Sequence, residues 1–183
     1  MALQMQKPMH KLNFSIVSLI LKIRDVFYPP KYILKDVGIW PGVCVLDFGC
    51  GPGSYSIATA ELLEGTGKVF ALDLHPQAIK KVNHTAQKKK LTNIKTILSD
   101  CDTGLPSNSV DIVLLYYIFN DLENPEKVLH ELYRVLKPQG ILSFSEYNIK
   151  KISSRLEKKE LFKIKNMDEI THTFLKTPSL VVN

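Results

Sequence analysis

The sequence predicts an α/β fold: a doubly wound, mostly parallel seven-stranded sheet whose last two strands form an antiparallel hairpin. Two observations predict this class. Short β-branched and apolar runs alternate with stretches of helical periodicity from residue 43 to residue 147, as in parallel strands joined by crossover helices. The five strand candidates in this region are apolar on both faces, which is typical of strands that helices cover on both sides of a sheet.

The predicted elements follow in a regular order. Helically spaced apolar residues predict an amphipathic helix over 12–27, lying on the core or over a site, and Pro29-Pro30 begins a second helix that ends at Gly38. Five parallel strands are predicted at 43–48, 68–73, 94–99, 110–117 and 141–147, the last after the stop signal LKPQG. The helices between them are predicted at 54–64, 76–89 and 125–136, the last capped by Asn124. A helix near 150–159 and a hairpin of strands 161–165 and 170–176 are predicted to follow.

Length and composition set the class of protein. The 183 residues predict a single domain, divided into an N-terminal helical cap (1–37), a ligand-binding core (38–147), and a terminal helix and hairpin (148–183). The three cysteines form no CxxC pair and fit a reducing compartment, where we interpret them as packing residues. The apolar stretch 12–23 is too short to span a bilayer, so we expect a cytoplasmic protein.

The chain carries a net charge of +6, which raises the question of an anionic partner. Its lysines concentrate in two stretches, 80–90 and 150–159, without interleaved aromatic residues. Solvated helix faces explain that pattern, and we expect no nucleic-acid partner.

A glycine-rich loop follows the first predicted strand. In DFGCGPGS (47–54), Gly49, Gly51 and Gly53 occupy alternate positions and Ser54 begins the next helix. Glycines let a ligand approach the main chain, and a helix N-terminus offers unpaired N–H groups to an anion. Ligands of open parallel sheets collect at this edge, so we expect a small nucleotide-like ligand and not a bare turn. Ser54 occupies the place of the third glycine of GxGxxG, which disfavours a nicotinamide or flavin cofactor.

This loop and three later segments resemble class I S-adenosylmethionine-dependent methyltransferases. DFGCGPG (47–53) is similar to motif I, D/E-x-G-x-G-x-G, and Asp73 ends the second strand as the family's ribose-binding acid does. SDCDTGLPSNSVDIVLL (99–115) is similar to the stretch written GDA…LPF…SFDxV, and 123–146 to the fourth helix and fifth strand with its LKPxG turn. The order and spacing over about 36–147 indicate the small-molecule, methyltransferase type 11-like subgroup, which includes quinone-biosynthesis enzymes.

The resemblance implies S-adenosyl-L-methionine as the cofactor and assigns a set of residues to it. The cofactor-binding residues that it implies are Asp47, Gly49, Cys50, Gly51, Gly53, Asp73, Leu74, Asp100 and Cys101. In this set Asp73 accepts from the ribose diol, Asp100 from the adenine amino group with Cys101 beside it, and Leu74 lies against adenine. Asp47 helps to hold the methionine amino group through water or the loop backbone. The same residues could instead be a helix cap at Asp73, a loop carboxylate at Asp100 and a core residue at Leu74.

The catalytic residues are less defined than the cofactor site. Related enzymes often carry a histidine where this chain has Asn120, so a proton acceptor has to be sought elsewhere. Asp121 and Glu146 follow the fourth and fifth strands and are the weak candidates, unless each is a helix cap or a surface group. We expect no metal, since only these two acids offer themselves near those strand ends.

The predicted activity is methyl transfer to an unidentified small-molecule acceptor. The N-P-P-Y type motif of amine-directed nucleic-acid methyltransferases is absent after the fourth strand, which disfavours RNA. No long insertion separates the fifth strand from the hairpin, so Phe27, Tyr28 and Tyr32 are candidate pocket walls, unless they are ordinary core aromatics. Either the acceptor is small, or an oligomer or partner subunit completes the site. The sequence is also compatible with a non-catalytic cofactor-binding subunit, with a methyltransferase of RNA or protein, and with a nicotinamide-dependent oxidoreductase.

Overall fold

The computed structural model of the chain describes residues 11–146, 148–149 and 161–178. Two compact units make up the fold, one ending at Thr103 and the other beginning at Gly104. The helix predicted near 150–159 and its lysine-rich stretch lie outside the described residues.

The described part of the first unit contains four helices and three parallel strands. The helices are α1 Lys11–Phe27, α2 Pro30–Val37, α3 Ser54–Leu62 and α4 Pro76–Lys88, and the strands are β1 Cys44–Phe48, β2 Lys68–Asp73 and β3 Ile94–Leu98. β2 lies between β1 and β3 and pairs in parallel with both. Val45, Leu46 and Ala71 have no exposed surface, so successive residues of a strand are buried on both faces, as the apolar runs predict.

Local signals set the helix ends in this unit. Gly38 takes a left-handed conformation after α2, and its N–H donates to the carbonyl of Lys35. At the start of α4 the His75 side chain accepts a hydrogen bond from the N–H of Gln77, and Pro76 stands in the first turn, where its missing N–H costs nothing. These ends place the loops that follow β1 and β2 at one edge of the three strands.

The second unit, over the residues that the structure describes, contains four strands and one long α-helix. The strands are β4 Val110–Tyr116, β5 Leu136–Ser145, β6 Phe162–Met167 and β7 His172–Lys176; the helix is α5 Pro125–Val135, preceded by a 3₁₀ turn at Phe119–Asp121. β4 and β5 are parallel, β7 is antiparallel to β5, and β6 is antiparallel to β7 at the edge. Asn124 caps α5 as predicted, its side chain accepting from the N–H of Lys127.

The start of β5 differs from the prediction. The LKPQG segment was expected to end the helix before a strand at 141–147, but β5 begins at Leu136 and ends at Ser145. Leu136 already pairs with Val110, and after an irregularity the pairing resumes between Ile112 and Ile141. The turn residues are therefore a bulge inside the strand, because pairing continues on both sides of them.

Helix α1 is amphipathic as predicted, but the apolar residues that define its predicted face are exposed. Five of these residues, which we call the α1 apolar stripe, each have more than half of their surface exposed: Ile16, Leu19, Ile20, Ile23 and Phe27. Tyr28 and Tyr32 are also more than 60% exposed, so the interpretation of Phe27, Tyr28 and Tyr32 as core aromatics is wrong. The physical reason is that α1 contacts the unit through its opposite, more polar face, which is described below.

The predicted fold class is confirmed. The described residues form seven strands, the pairings among β1–β3 and between β4 and β5 are parallel, and the C-terminal hairpin is antiparallel. Within the described residues, no helix combines the length and the apolar character needed to cross a bilayer.

Candidate functional site

The loop between β1 and α3 is fastened to the neighbouring strand. The backbone N–H groups of Gly49 and Cys50 both donate to the carbonyl of Leu72, at 2.8 and 2.9 Å. The Cys50 side chain is buried with Ala71 and Val82, so it fills the space between β2 and α4. Burial raises the pKa of the Cys50 thiol, which stays protonated at neutral pH. The side chain of Cys50 is thus a packing group, which leaves the backbone as the part of this residue that a ligand could reach.

Two glycines of the loop are required for different reasons. Gly53 has φ +92, and a Cβ built there would lie 2.7 Å from the Cγ2 of Val82, so the absence of a side chain allows α3 and α4 to pack. Gly51 has φ +52, and the nearest atom to its added Cβ is the Cδ1 of Leu21 at 3.9 Å. A side-chain atom at Gly51 would thus make only an ordinary contact with Leu21, in contrast to the clash at Gly53, and no protein backbone lies against this position.

Asp73 ties the loop to the end of β2. Its Oδ2 accepts from the N–H of Gly51 at 2.8 Å, and its Oδ1 accepts from the N–H of His75 at 2.7 Å. A carboxylate has about four acceptor positions, and the backbone N–H of Leu74 also interacts with this one. Burial raises the pKa of Asp73, against the hydrogen bonds from His75 and Gly51 that lower it. Because His75 directly precedes α4, the Asp73 side chain stabilises the start of that helix and also contacts the glycine loop.

Asp47 lies behind the loop at the end of β1, with 2% of its surface exposed. Its Oδ2 accepts from the Ser56 hydroxyl at 2.5 Å. Burial raises the pKa of Asp47 to about 7, the hydrogen bond from Ser56 lowers it, and the charge of Asp73 raises it further. A buried acid with this pKa is half ionised near neutrality, and a cation brought close to it favours the ionised form.

The segment after β3 comes next to the end of β2. The N–H of Ser99 donates to the carbonyl of Asp73 at 3.1 Å. Asp100 and Cys101 follow Ser99 directly, so they lie near the end of β2 where Asp73 stands. Asp100 is partly exposed, whereas Cys101 is buried with its N–H 3.3 Å from the Ser99 hydroxyl. Leu74 is partly buried between β2 and α4. The nine residues predicted for the cofactor therefore all lie in the first unit, along the ends of β1, β2 and β3.

The two weak catalytic candidates lie in the second unit. Asp121 is exposed at the end of the 3₁₀ turn after β4, and Glu146 directly follows β5 with 6% of its surface exposed. Across the described part of the chain, no three His, Cys, Asp or Glu side chains are grouped so that they could hold a metal ion.

Sequence reasoning missed the contact of α1 with the glycine loop. Asp25 of α1 accepts a short hydrogen bond from the Ser54 hydroxyl at the start of α3. The Arg24 guanidinium pairs with Asp25 at 2.7 Å and lies 5.2 Å from the centre of the Tyr55 ring. With Leu21 beside Gly51, these contacts hold α1 against the loop through its polar side. Ser54 is the first residue of α3, after the N-cap Gly53, and no local sequence pattern connects residue 54 to residue 25.

Comparison with known proteins agrees with this arrangement. A family model described as a methyltransferase domain matches residues 40–177. A demethylmenaquinone methyltransferase of Geobacillus stearothermophilus is 30% identical over 112 residues, which cover 61% of this chain and 48% of the relative. The chain thus spans about half the length of the curated relatives it matches.

Solved structures of methyltransferases share the fold of this chain. A SAM-dependent methyltransferase from Aquifex aeolicus is 25% identical with a TM-score of 0.74, covering 81% of this chain and 88% of its own. A second structure, from Methanococcus maripaludis, is 17% identical with a TM-score of 0.77, covers 97% of this chain and 100% of its own, and shows the shared fold. From the matched residues 40–177, the glycine loop included, we conclude that this chain belongs to the methyltransferase domain family.

Proposed function

We propose that this chain transfers the methyl group of S-adenosyl-L-methionine to a small-molecule acceptor. The observation that carries the proposal is the glycine loop, in which a Cβ at Gly51 would meet a single side-chain atom at 3.9 Å and the Gly51 N–H is held by the carboxylate of Asp73. Family membership supports the same cofactor. A dinucleotide cofactor is less compatible with the loop, because Gly53 and not residue 54 makes the close helix packing.

The residues of the first unit fit such a cofactor. We assign the ribose hydroxyls to Asp73, whose carboxylate lies beside the glycine loop and accepts from Gly51 and His75. Asp100 is the candidate acceptor for the adenine amino group, and the partly buried Leu74 the candidate surface for the adenine ring. Asp47 is buried and carries a raised pKa, so a nearby ammonium group stabilises its ionised form. The loop residues Gly49, Cys50, Gly51 and Gly53 offer backbone and not side chains.

The protein contributes position and charge in this proposal. The bound cofactor supplies a methyl group on a sulfonium, which is already electrophilic. Holding an acceptor atom against it is worth about 7–11 kcal/mol in the best intramolecular models, so a site without a dedicated base is chemically sufficient. Where the acceptor has to lose a proton, Asp121 and Glu146 remain the candidates in the second unit, and a pH–rate profile of Glu146→Gln and Asp121→Asn distinguishes them.

The acceptor class follows from the relatives. Several curated relatives are named demethylmenaquinone methyltransferases, so quinone-type aromatic compounds are the first acceptors to test. The test incubates the purified chain with cofactor labelled in the methyl group and a panel of demethylated quinols, phenols and amines. Labelled product from the chain alone supports the proposal. Transfer that needs added lysate proteins supports the non-catalytic subunit instead, and Gly51→Val is the inactive control.

A further inference from the structure

We propose that the outer face of α1, together with the start of α2, binds an anionic lipid surface. Helix α1 is held to the glycine loop by Leu21, Arg24 and Asp25. The α1 apolar stripe occupies positions i, i+3, i+4, i+7 and i+11, which lie on the opposite side of a helix from residues 21 and 25. A helix that docks by its polar side and presents a continuous apolar stripe to solvent has the arrangement of an interfacial helix.

The stripe is too large to be ordinary surface variation. Its five side chains are each between 53% and 74% exposed, and Val26 beside them is 76% exposed. Single exposed apolar residues are common on proteins, but a contiguous apolar stripe along a helix of this length is typical of an interaction surface. The 17 residues of α1 rise about 1.5 Å each, so the helix is long enough to lie in a bilayer interface and too short to span it.

The charged and aromatic residues around the α1 apolar stripe indicate that its partner is a lipid surface. Residues 11–38 carry five basic and two acidic side chains, and the whole chain has a net charge of +6. Exposed Lys22 adjoins the stripe, and exposed Lys35 follows on α2. Three large aromatic side chains in or just after this stretch are about half or more exposed: Tyr28, Tyr32 and Trp40. Basic and amphipathic aromatic side chains around an apolar stripe complement anionic headgroups above a hydrocarbon layer.

The test measures co-sedimentation of the full chain with vesicles. One set contains phosphatidylcholine alone and the other equal parts of phosphatidylcholine and phosphatidylglycerol. We expect binding to the anionic vesicles that weakens as salt is added. Leu19→Ser combined with Ile23→Ser is expected to lower the partition coefficient at least about tenfold, and Lys22→Glu about fivefold or more.

The matched control is Leu98→Ser, because Leu98 is an apolar side chain of the same unit with 55% exposure, close to the 53% of Ile23. It is expected to bind vesicles like the wild type. S-adenosylhomocysteine affinity, measured by calorimetry, is expected to be equal in all the variants, which shows that they fold and separates this proposal from that of methyl transfer.

Four results overturn the proposal. The first is no binding to either vesicle, and the second is equal binding to neutral and anionic vesicles. The third is a concentration-dependent dimer, abolished by the Leu19/Ile23 variant, without vesicle binding, because a second copy then covers the stripe. The fourth is a melting temperature lowered by the same variant without vesicle binding, because the chain itself then covers it.

Discussion

Replacing Gly51 by alanine tests the loop most specifically. The substitution adds one methyl group at a position where the nearest atom, the Cδ1 of Leu21, lies 3.9 Å away, so the folded protein has room for it. The methyl group nevertheless projects from the stretch of backbone that we assign to the cofactor. Gly65→Ala is the matched control, since Gly65 has φ +79 and no atom within 4 Å of its added Cβ, and it lies outside the loop.

The expected magnitudes follow from this geometry. A non-glycine residue in the left-handed region costs about 1–2 kcal/mol, so both variants are expected to lose this much free energy of unfolding. For a chain of this size that corresponds to a melting temperature lowered by about 2–8 °C. Crowding one methyl group against a fitted ligand costs about 1–3 kcal/mol, so Gly51→Ala alone is expected to weaken cofactor binding about 5- to 150-fold.

The assay is calorimetric titration with S-adenosylhomocysteine, with thermal unfolding of the same samples. Weaker binding by Gly51→Ala, together with unchanged affinity in Gly65→Ala, supports the assignment of the loop. Equal affinity in all three proteins refutes the reasoning, because the cofactor then does not approach the backbone at Gly51.

Three further perturbations test other parts of the site. Asp73→Ala is expected to weaken S-adenosylhomocysteine binding by about 1.5–3 kcal/mol, the value of a hydrogen bond to a charged group, in the same titration. Because burial raises the pKa of Asp47 from 3.8 to about 7, the folded state holds its proton more tightly than the unfolded state does. This group's contribution to the free energy of unfolding is therefore expected to be largest at low pH and to be lost as pH rises to about 7, while binding of a ligand ammonium strengthens over the upper part of that range. Asp25→Ala removes the acceptor of Ser54 and the partner of Arg24, and is expected to accelerate amide hydrogen exchange in residues 21–27 about tenfold or more.

Each of these has its own control. Asp47→Asn cannot ionise, so it should flatten the pH dependence of both stability and binding; an unchanged profile assigns that dependence to another group. Asp36→Ala removes an exposed acid of α2 and should leave exchange in α1 unaltered. Should Asp25→Ala exchange like the wild type, the contact with Ser54 does not hold the helix. If Asp73→Ala binds S-adenosylhomocysteine as tightly as the wild type, the assignment of Asp73 to the ribose hydroxyls is wrong.

The fold was predictable because its signals are local. The apolar runs of β1 and β2, the glycines of the loop and the Asn124 cap each determine the conformation within a few residues of themselves. The bulge within β5 was not predictable in this way, since LKPQG has the composition of a stop and only the pairing of Leu136 with Val110 draws it into the strand. Helical periodicity identifies an apolar stripe but not whether the protein covers it, so the exposure of the α1 apolar stripe could not be predicted from the sequence.

The candidate site was predictable to the same extent. Asp47, Gly51 and Asp73 were marked by their positions after strands, and the structure brings the backbone of Gly51 into contact with Asp73. The hydrogen bond between Asp25 and Ser54 joins residues that are 29 positions apart, and no spacing rule connects them. Contacts of that kind depend on how a helix docks in the folded chain, and they appear only in the three-dimensional structure.

The most direct measurement of the central claim is a calorimetric titration of the intact chain with S-adenosylhomocysteine, with reduced nicotinamide dinucleotide as the comparison ligand. The account predicts saturable binding of the first at one site per chain and none of the second. The account is contradicted if well-folded protein binds no S-adenosylhomocysteine at about 1 mM ligand. A dissociation constant of about 1 mM corresponds to a binding free energy of about −4.1 kcal/mol.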